Sequence, residues 1–340
     1  MAIKMLIFDY RDSEKNFFEN NKNDDFDITF FYESLNDETV NNLSEEELND
    51  TSIISVFINS EVTEEVINKF KNLRLISTRS TGIDHINKNA AEAKNIAIVN
   101  VEAYGSGSVA QYTICLIIAL VRHLIPASKH LESKVSCANY VGRDVSKLTL
   151  GVVGTGSIGI AVCKIALALG MKVLAYDKIE KQELINTTEI KYTDLNTLLK
   201  ESDVVTLHLP YTGENKNMFA KDQFKIMKNT AYFINTSRGE IVNLRDLYEA
   251  IKNNTIQCAA LDVVTCEYET FRCSQLSQDT GIPFECIEEA KIAVEMSTHP
   301  NIIITPHIAY ETQDAINYIL EQTFIGILDT IKGGTQYRAY

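Results

Sequence analysis

Short apolar runs alternate with longer segments of helical period along most of the chain. The short runs are rich in β-branched residues, which is typical of strands buried in a parallel sheet. We predict as strands Lys4–Phe8, Ser52–Phe57, Leu73–Thr78, Leu148–Val153, Lys172–Tyr176, Val204–Leu207, Ala231–Asn235, Ala259–Val263 and Asn301–Thr305. We predict as helices Glu61–Lys71, Ser108–Leu131, Gly159–Leu169, Asp194–Lys200 and Leu244–Lys252. The alternation predicts an α/β fold in which helices cover both faces of parallel sheets.

One segment, Cys266–Pro300, departs from this alternation. It contains several Cys, Gln, Ser and acidic residues, and its strand signals are weak. Connections of this length in a compact fold are more often functional than not. A plain insertion is the alternative interpretation, and the pattern does not decide between the two.

The size and charge of the chain narrow its possible functions. The 340 residues predict two domains, each with its own core. Lys and Arg total 32 against 46 Asp and Glu, so the net charge is −14, which argues against nucleic acids and anionic membranes as partners. The longest apolar run, Ile114–Val121, is shorter than the roughly 20 residues that a membrane span needs. No signal-peptide pattern is visible, so we predict a cytoplasmic protein.

The seven cysteines form no Cys-x-x-Cys pair. Three lie in apolar runs and are predicted as small core residues: Cys115, Cys163 and Cys258. Three others lie in the Cys266–Pro300 segment at spacings that match no zinc pattern: Cys266, Cys273 and Cys286. We therefore predict no metal site and reduced thiols, as is usual in the cytosol.

A glycine-rich turn follows the predicted strand Leu148–Val153. Residues 154–159 read Gly-Thr-Gly-Ser-Ile-Gly and lead into a predicted helix, and the next strand ends at Asp177. This order of strand, turn, helix, strand and acid is that of a dinucleotide-binding fold. Gly154 permits the tight turn, Gly156 lets the backbone approach the pyrophosphate, and Gly159 lets the helix pack on the strand. The N–H groups at the start of the helix then face the phosphates.

The acid that ends the second strand of this unit selects the cofactor. A carboxylate at Asp177 accepts hydrogen bonds from the ribose hydroxyls of NAD and repels the 2′-phosphate of NADP. Lys178 and Lys181 lie close enough in sequence to soften that preference. We therefore predict NAD as the cofactor, and a glycine-rich turn without a ligand is the alternative.

Charged groups also follow the later strands, at the edge where open α/β sheets bind their ligands. Arg238, Glu267 and His307 each come after one of three successive predicted strands. Reduction of a 2-oxo acid needs a fixed cation for the carboxylate, and the planar fork of Arg provides one. It also needs a proton donor for the carbonyl oxygen, a role suited to His, and a nearby Glu would orient the imidazole. Each residue alone could be structural, but together they predict one shared cleft.

Three motifs contain or flank these groups: Asn-Thr-Ser-Arg-Gly at 235–239, Ala-Leu-Asp-Val at 260–263 and Thr-Pro-His-Ile-Ala-Tyr at 305–310. Together they resemble the NAD-dependent D-isomer-specific 2-hydroxyacid dehydrogenase family, and the likeness extends from Ser77 to the C-terminal helix. Tyr310 and the long stretch between Glu267 and His307 resemble most the D-lactate and D-2-hydroxyisocaproate dehydrogenase branch.

The resemblance implies roles for particular residues. The catalytic set would be Arg238, Glu267 and His307, with His307 as the proton donor. The implied substrate contacts are Ser80, Thr81, Gly82, Tyr104 and Tyr310. The implied cofactor contacts are Gly154, Gly156, Ser157, Ile158, Gly159, Asp177, Leu209, Pro210, Asn215, Thr236, Ser237 and Asp262. Backbone N–H groups of the first three substrate contacts would bind the carboxylate of the substrate, and the two tyrosines would line its pocket.

The resemblance also implies an architecture. A Rossmann nucleotide domain, residues 104–307, would be inserted in a flavodoxin-like substrate-binding domain formed by residues 1–103 and 308–340, and both domains would be doubly wound around parallel sheets. Family members are usually homodimers, so we expect a homodimer. After Tyr104 the chain reads Gly-Ser-Gly-Ser-Val-Ala-Gln, where the lactate branch more often has a Ser-Pro turn and a Glu. This departure leaves the exact substrate open.

The function that these observations predict is NADH-dependent reduction of a 2-oxo acid, with pyruvate as the first candidate and D-lactate as its product. Reductases that form D-2-hydroxyisocaproate or phenyllactate, or that act on hydroxypyruvate or glyoxylate, are the enzymatic alternatives. A formate dehydrogenase of the same fold is disfavoured because it would have Gln at Glu267. An NAD-sensing corepressor is the alternative that is not primarily an enzyme.

Overall fold

The chain divides into two compact units. The structure is a computed structural model, and it describes residues 2–21, 24–101, 105–130, 140–181, 189–272 and 282–339. The terminal unit combines Met1–Tyr104 with Glu311–Tyr340, and the central unit comprises Gly105–Tyr310. Tyr104 and Cys273, both singled out in the sequence, lie outside the described residues.

The terminal unit contains a five-stranded parallel sheet. Its strands are β1 (Ile3–Ile7), β2 (Phe26–Phe30), β3 (Ile53–Val56), β4 (Leu75–Thr78) and β5 (Ala97–Val99). They are arranged in the order β2-β1-β3-β4-β5, which is that of a flavodoxin-like doubly wound fold. Its α-helices are α1 (Lys15–Asn20), α2 (Glu45–Asp50), α3 (Glu64–Lys69), α4 (Lys88–Ala93) and, after the central unit, α13 (Gln313–Ile331).

The core of the terminal unit follows from the alternation of side chains along its strands. Leu6, Ile54 and Ile76 pack in one apolar cluster. The residue before each of them packs in a second cluster, which also contains Leu320 and Ile327 of α13. Because successive residues of a strand point to opposite faces, the sheet has an apolar core on each face.

The central unit contains a seven-stranded parallel sheet. Its strands are β6 (Thr149–Val153), β7 (Lys172–Tyr176), β8 (Lys191–Tyr192), β9 (Val204–Leu207), β10 (Tyr232–Asn235), β11 (Cys258–Leu261) and β12 (Ile302–Ile304). Their order is β12-β11-β10-β9-β6-β7-β8, so the direction of winding reverses at β6, between β7 and β9. Ligands of doubly wound sheets bind beyond the carboxyl ends of the strands at such a switch point.

The α-helices of the central unit lie between these strands and before the first of them. They are α5 (Ser106–Val121), α6 (Leu124–Ser128), α7 (Ser157–Ala168), α8 (Leu195–Glu201), α9 (Lys221–Ile226), α10 (Leu244–Lys252), α11 (Glu267–Arg272) and α12 (Phe284–Ser297). Among the described residues, no helix is both long and apolar enough to cross a membrane.

The predicted fold class, two doubly wound parallel-sheet domains, is confirmed. Every predicted strand is present, but β2, β5 and β8 were not predicted. The predicted continuous helix Ser108–Leu131 is wrong, because α5 ends before Arg122 and His123 adopts a left-handed backbone with φ of 53°. The Cys266–Pro300 segment contains α11 and α12, so its weak strand signals reflect helical structure.

Candidate active site

The glycine turn between β6 and α7 has the shape that a dinucleotide pyrophosphate requires. Gly154 has φ of +95°, and a Cβ there would lie 2.4 Å from the carbonyl oxygen of His208. A Cβ at Gly159 would lie 2.0 Å from the carbonyl oxygen of Gly154, so the helix approaches the turn as closely as only glycine permits. A Cβ at Gly156 would meet no atom within 4 Å, so this glycine faces open space. The turn therefore fits the phosphates of NAD, which Ser157 and Ile158 at the start of α7 would hold through their backbone N–H groups.

Asp177 follows β7 and is held beside this turn by a hydrogen-bond network. Its Oδ2 accepts from Thr155 N at 2.6 Å and from Thr155 Oγ1 at 3.0 Å, and its Oδ1 accepts from Ile179 N at 3.2 Å. Tyr192 of β8 donates from its hydroxyl to Thr155 Oγ1 at 2.8 Å. Burial raises the pKa of Asp177, but hydrogen bonds from Thr155 and Ile179 outweigh it, and the net pKa lies below its usual value. The carboxylate is thus ionised and fixed in direction, as recognition of a ribose diol needs.

His208, at the end of β9, supports the turn from the neighbouring strand. Its backbone N–H donates to Val153 O at 2.8 Å, and its Nε2 lies 3.0 Å from Thr206 Oγ1. The side chain is 9% exposed, and its Nδ1 is buried without a hydrogen-bond partner among the described residues. Burial lowers the pKa of His208 to about 3, so the imidazole is neutral at physiological pH.

The loop after β10 carries Arg238. Asn235, the last residue of the strand, accepts at its Oδ1 from Ser237 N at 3.0 Å and from Ser237 Oγ at 2.8 Å. The Asn235 amide donates to Arg238 O at 2.9 Å, so one side chain braces the whole turn. Arg238 is half-buried and donates from Nη1 to Ser237 O at 2.8 Å. Asn235 was not predicted as a site residue, although an Asn at a strand end is a recognised turn signal.

The structure brings Glu267 and His307 into direct contact. Glu267 is the first residue of α11, and His307 lies in the loop after β12. His307 Nδ1 lies 2.7 Å from Glu267 Oε2, and the two side chains are 23% and 27% exposed. Tyr310 stands edge-on to the imidazole, with ring centroids 6.3 Å apart. Because the carboxylate accepts from Nδ1, the ring is oriented and Nε2 is the nitrogen left for a reacting group.

Asp262 holds the loop that carries this histidine. Its carboxylate accepts from Thr305 Oγ1 at 2.6 Å, Ile308 N at 3.1 Å and Ala309 N at 2.9 Å, and its carbonyl oxygen accepts from His307 N at 2.8 Å. Asp262 is 1% exposed, and burial raises its pKa. His307 adopts φ of 54°, a left-handed backbone that these bonds stabilise. The cofactor contact expected of Asp262 from the resemblance stays a prediction, since the described contacts of its carboxylate all lie within this loop.

The remaining residues of the predicted cofactor site lie on loops at the carboxyl edge of the central sheet. Asn215 accepts at Oδ1 from Thr212 N at 3.0 Å and donates from Nδ2 to Pro210 O at 2.8 Å, so it closes the loop that begins at Leu209. Thr236 Oγ1 lies 2.9 Å from Thr113 Oγ1 of α5. Their predicted contacts with the cofactor stay predictions.

The predicted carboxylate-binding loop belongs to the terminal unit. It follows β4, and its Ser80 hydroxyl donates to Gly82 O at 2.7 Å while Thr81 Oγ1 donates to Val101 O at 2.9 Å. The preceding Arg79 is 1% exposed and donates from Nε to Glu14 Oε1 at 3.1 Å and from Nη2 to Phe8 O at 2.7 Å. These bonds hold the backbone of the loop in place without the help of a ligand.

The cysteines differ from the prediction in two respects. Cys266 and Cys286 form a disulfide with Cα atoms 5.3 Å apart, because α12 packs against α11. Their sulfurs and a Glu269 carboxylate oxygen lie within 4.8 Å of one another, but metal ligation needs free thiolates. Cys163 is buried as predicted, whereas Cys115 is exposed, since it lies one helical turn from exposed Gln111 on the face of α5 away from the core.

Comparisons with known proteins bear on this site. The D-isomer specific 2-hydroxyacid dehydrogenase NAD binding domain family matches residues 114–309. The chain is 36% identical over 281 residues to a D-specific alpha-keto acid dehydrogenase of Enterococcus faecium, with 81% of this chain and 82% of the relative covered. It is 33% identical over 279 residues to a glycerate dehydrogenase of Methylorubrum extorquens, with 80% of each covered. A solved D-lactate dehydrogenase of Aquifex aeolicus, complexed with NAD and lactic acid, superposes with a TM-score of 0.84 at 33% identity, with 97% and 96% covered.

Proposed function

The chain belongs to the D-isomer specific 2-hydroxyacid dehydrogenase family, and from that premise we propose that it reduces pyruvate to D-lactate. The matched family model and the similar dehydrogenases confirm the predicted family and the predicted cofactor, NAD. The chain is therefore an NAD-linked oxidoreductase that acts on CH–OH groups. The observation that carries the proposed mechanism is the 2.7 Å contact between His307 Nδ1 and Glu267 Oε2. That contact supports an imidazole oriented to exchange a proton at Nε2.

His307 is the proposed proton donor. When bound, NADH supplies the hydride that reaches the carbonyl carbon of the substrate. His307 in its protonated form donates from Nε2 to the carbonyl oxygen, and Glu267 orients the imidazole by accepting from Nδ1. In the direction of oxidation the neutral imidazole removes the hydroxyl proton. Asp262 contributes by holding the 305–309 loop, so we propose it as a positioning residue.

Arg238 is the proposed partner of the substrate carboxylate. A guanidinium forms two parallel hydrogen bonds with a carboxylate, which fixes the direction of the 2-oxo group as well as its charge. The brace from Asn235 to the 237–238 turn supports this role, since it limits the motion of the loop. Ser80, Thr81 and Gly82 of the terminal unit are proposed as further substrate contacts. Tyr310 is proposed to form one wall of the substrate pocket, because its ring lies edge-on to the imidazole.

Asp177 is proposed to select NAD over NADP. Its lowered pKa keeps it ionised near neutral pH, so it would accept from the adenosine ribose hydroxyls and repel a 2′-phosphate. The remaining proposed cofactor contacts are Leu209, Pro210, Asn215, Thr236 and Ser237.

Pyruvate is proposed because the Aquifex aeolicus enzyme, which shares 33% identity along 97% of this chain, was solved with lactic acid. The similar identity to a glycerate dehydrogenase makes hydroxypyruvate the competing substrate. We also propose that the protein forms a homodimer, as family members usually do, and that it is cytoplasmic. Light scattering of the purified protein tests the homodimer.

The test is a panel of initial NADH oxidation rates with pyruvate, hydroxypyruvate, 2-oxoisocaproate and phenylpyruvate. We expect the highest kcat/KM with pyruvate and D-lactate as the product on chiral chromatography. A larger kcat/KM with another acid of the panel would overturn the choice of pyruvate while retaining the reaction class. Bound NADH without turnover of any acid would contradict the proposed substrates and favour a dinucleotide-sensing role.

A further inference from the structure

The disulfide of the central unit lies directly beside the proposed catalytic pair. Cys266 immediately precedes Glu267 in the chain, and Cys286 lies in the first turn of α12. The bond therefore connects the start of the helix that carries Glu267 to a second helix. Both cysteines are partly exposed, so a small thiol can reach them.

The second helix, α12, is held in place by its packing against the core of the central unit. Ile287, Ala290, Ala293 and Met296 of α12 are all 2% exposed or less, and Ala293 and Met296 belong to the largest apolar cluster of the central unit. Helix α11 has fewer such contacts, since it has six residues and, among its described side chains, only Phe271 packs against that cluster. The disulfide thus attaches a short helix to a well-packed one.

The backbone at Cys266 links this attachment to Glu267. Cys266 has φ of 54°, a left-handed conformation that a residue with a Cβ adopts only when its surroundings hold it there. Its carbonyl oxygen accepts from Thr270 N at 3.0 Å, so Cys266 also accepts the first backbone hydrogen bond of α11. Reduction would remove the covalent restraint on this residue. The orientation of the Glu267 side chain would then vary. The carboxylate would accept from His307 Nδ1 for a smaller fraction of the time.

We propose that Cys266 and Cys286 form a reversible thiol–disulfide site that controls the position of Glu267, with the disulfide form as the more active enzyme. The proposal rests on the proposed role of Glu267 in orienting His307. Cys266 lies one residue from Glu267, and the disulfide joins it to the well-packed helix α12. This position distinguishes it from Cys163 and Cys258, which are buried, and from exposed Cys115, which forms no disulfide with any described residue.

The chemistry requires a disulfide of a low-molecular-weight thiol as the oxidant. The thiolate of one cysteine attacks a sulfur of that disulfide, which forms a mixed disulfide and releases one small thiolate. The second cysteine, once deprotonated, attacks the protein sulfur of the mixed disulfide, forms the Cys266–Cys286 bond and releases the other small thiolate. The two released thiolates take up the two protons, and two electrons pass from the protein to the small disulfide.

The experiment equilibrates the full-length protein in glutathione buffers of graded potential, with a chelator present throughout. Alkylation followed by peptide mass spectrometry measures the fraction with the Cys266–Cys286 bond. We expect kcat to follow that fraction and to fall about 10-fold on full reduction, since the orientation of an acid–base group supplies part of its contribution of about 100- to 10,000-fold. The Kd of NADH is expected to change less than about twofold, because neither cysteine takes part in the hydrogen bonds that hold Asp177 beside the glycine turn.

Variants separate the switch from a merely structural bond. Cys286→Ser is expected to have the kcat of the reduced enzyme in every buffer, and reoxidation is expected to restore kcat only in the wild type. Cys115→Ser and Cys273→Ser serve as matched controls and should retain the full response. A kcat independent of the bonded fraction, a response that persists in Cys286→Ser, or pairing of Cys266 with Cys273 instead would overturn the proposal.

Failure of the proposed mechanism would look different. If Glu267→Gln leaves kcat unchanged, the role of Glu267 is wrong whatever the cysteines do. If Glu267→Gln lowers kcat but the bonded fraction does not affect it, the mechanism stands and the thiol–disulfide control is refuted.

Discussion

Acid should destabilise the central unit through His208. The unfolded chain presents an ordinary histidine with a pKa near 6.5, whereas burial lowers the pKa of His208 in the folded protein to about 3. The cause is structural, since His208 is 9% exposed and its Nδ1 is buried without a partner among the described residues. A second proton on this ring would therefore add a charge with little water near it, and Nδ1 would have no acceptor among the described residues.

The sign and size of the effect follow from proton linkage. Below pH 6.5 the unfolded state binds a proton at this position and the folded state does not, so the free energy of unfolding falls as the pH falls. Stability from the neutral ring is fully present above pH 6.5 and is lost progressively down to about pH 3. Each pH unit within that window costs about 1.4 kcal/mol, so a change from pH 7 to pH 5 removes about 2 kcal/mol.

Urea denaturation followed by circular dichroism at pH 7 and pH 5 measures this loss. Other groups also titrate between pH 7 and pH 5. The contribution of His208 is therefore the loss of unfolding free energy in the wild type minus the same loss in His208→Gln. We expect about 2 kcal/mol for that difference, and His208→Asn provides a second variant if Gln does not fold. The matched control is His299→Gln, a partly exposed histidine of the same unit, which should lose as much stability as the wild type. Equal losses in the wild type and in both His208 variants would refute the reasoning.

Two further changes test the cofactor and substrate contacts. Asp177→Ala should reduce the preference for NADH over NADPH in kcat/KM about 10-fold or more, because it removes the charged acceptor of the ribose hydroxyl hydrogen bonds. Exposed Asp222→Ala is the control, and an unchanged ratio of the two kcat/KM values in Asp177→Ala would contradict the assignment. Arg238→Lys should lower kcat/KM for the 2-oxo acid by about 10- to 100-fold, because a point charge forms one hydrogen bond where the fork forms two. Exposed Arg245→Lys should have no effect, and equal rates for both lysine variants would exclude the bidentate contact.

Much of the fold was predictable because most of its strands are continuous apolar runs in the sequence. Val204–Leu207 and Lys172–Tyr176 are largely buried and rich in β-branched or other apolar residues, and both were predicted with the observed ends. Strand β8 has only two residues, and β2 is an edge strand with half-exposed positions, so neither presents a continuous apolar run. Helix α12 was missed because its acidic residues mask the buried stripe that includes Ile287 and Met296.

The candidate site was predictable to a different extent. Arg238, Glu267 and His307 follow strand ends, and in doubly wound sheets the residues at that edge are grouped by the order of the strands alone. The hydrogen bonds from Asn235 to the 237–238 turn, from Thr155 to Asp177 and from Tyr192 to Thr155 depend on side-chain direction across neighbouring strands. Spacing along the chain does not specify that direction.

The disulfide was missed for the same physical reason. Cys266 and Cys286 are 20 residues apart, and only the packing of α12 against α11 brings their Cα atoms to 5.3 Å. A pairing that depends on the path of the intervening chain cannot be deduced from spacing alone.

The central claim is that His307 donates the proton in NADH-dependent reduction of a 2-oxo acid. Its most direct test is single-turnover reduction of pyruvate by preformed NADH complexes of the wild type, His307→Ala and the control His299→Ala. We expect the rate to fall about 100- to 10,000-fold in His307→Ala alone, while its Kd for NADH stays within about twofold of the wild type. A rate in His307→Ala equal to that of the wild type would contradict the account.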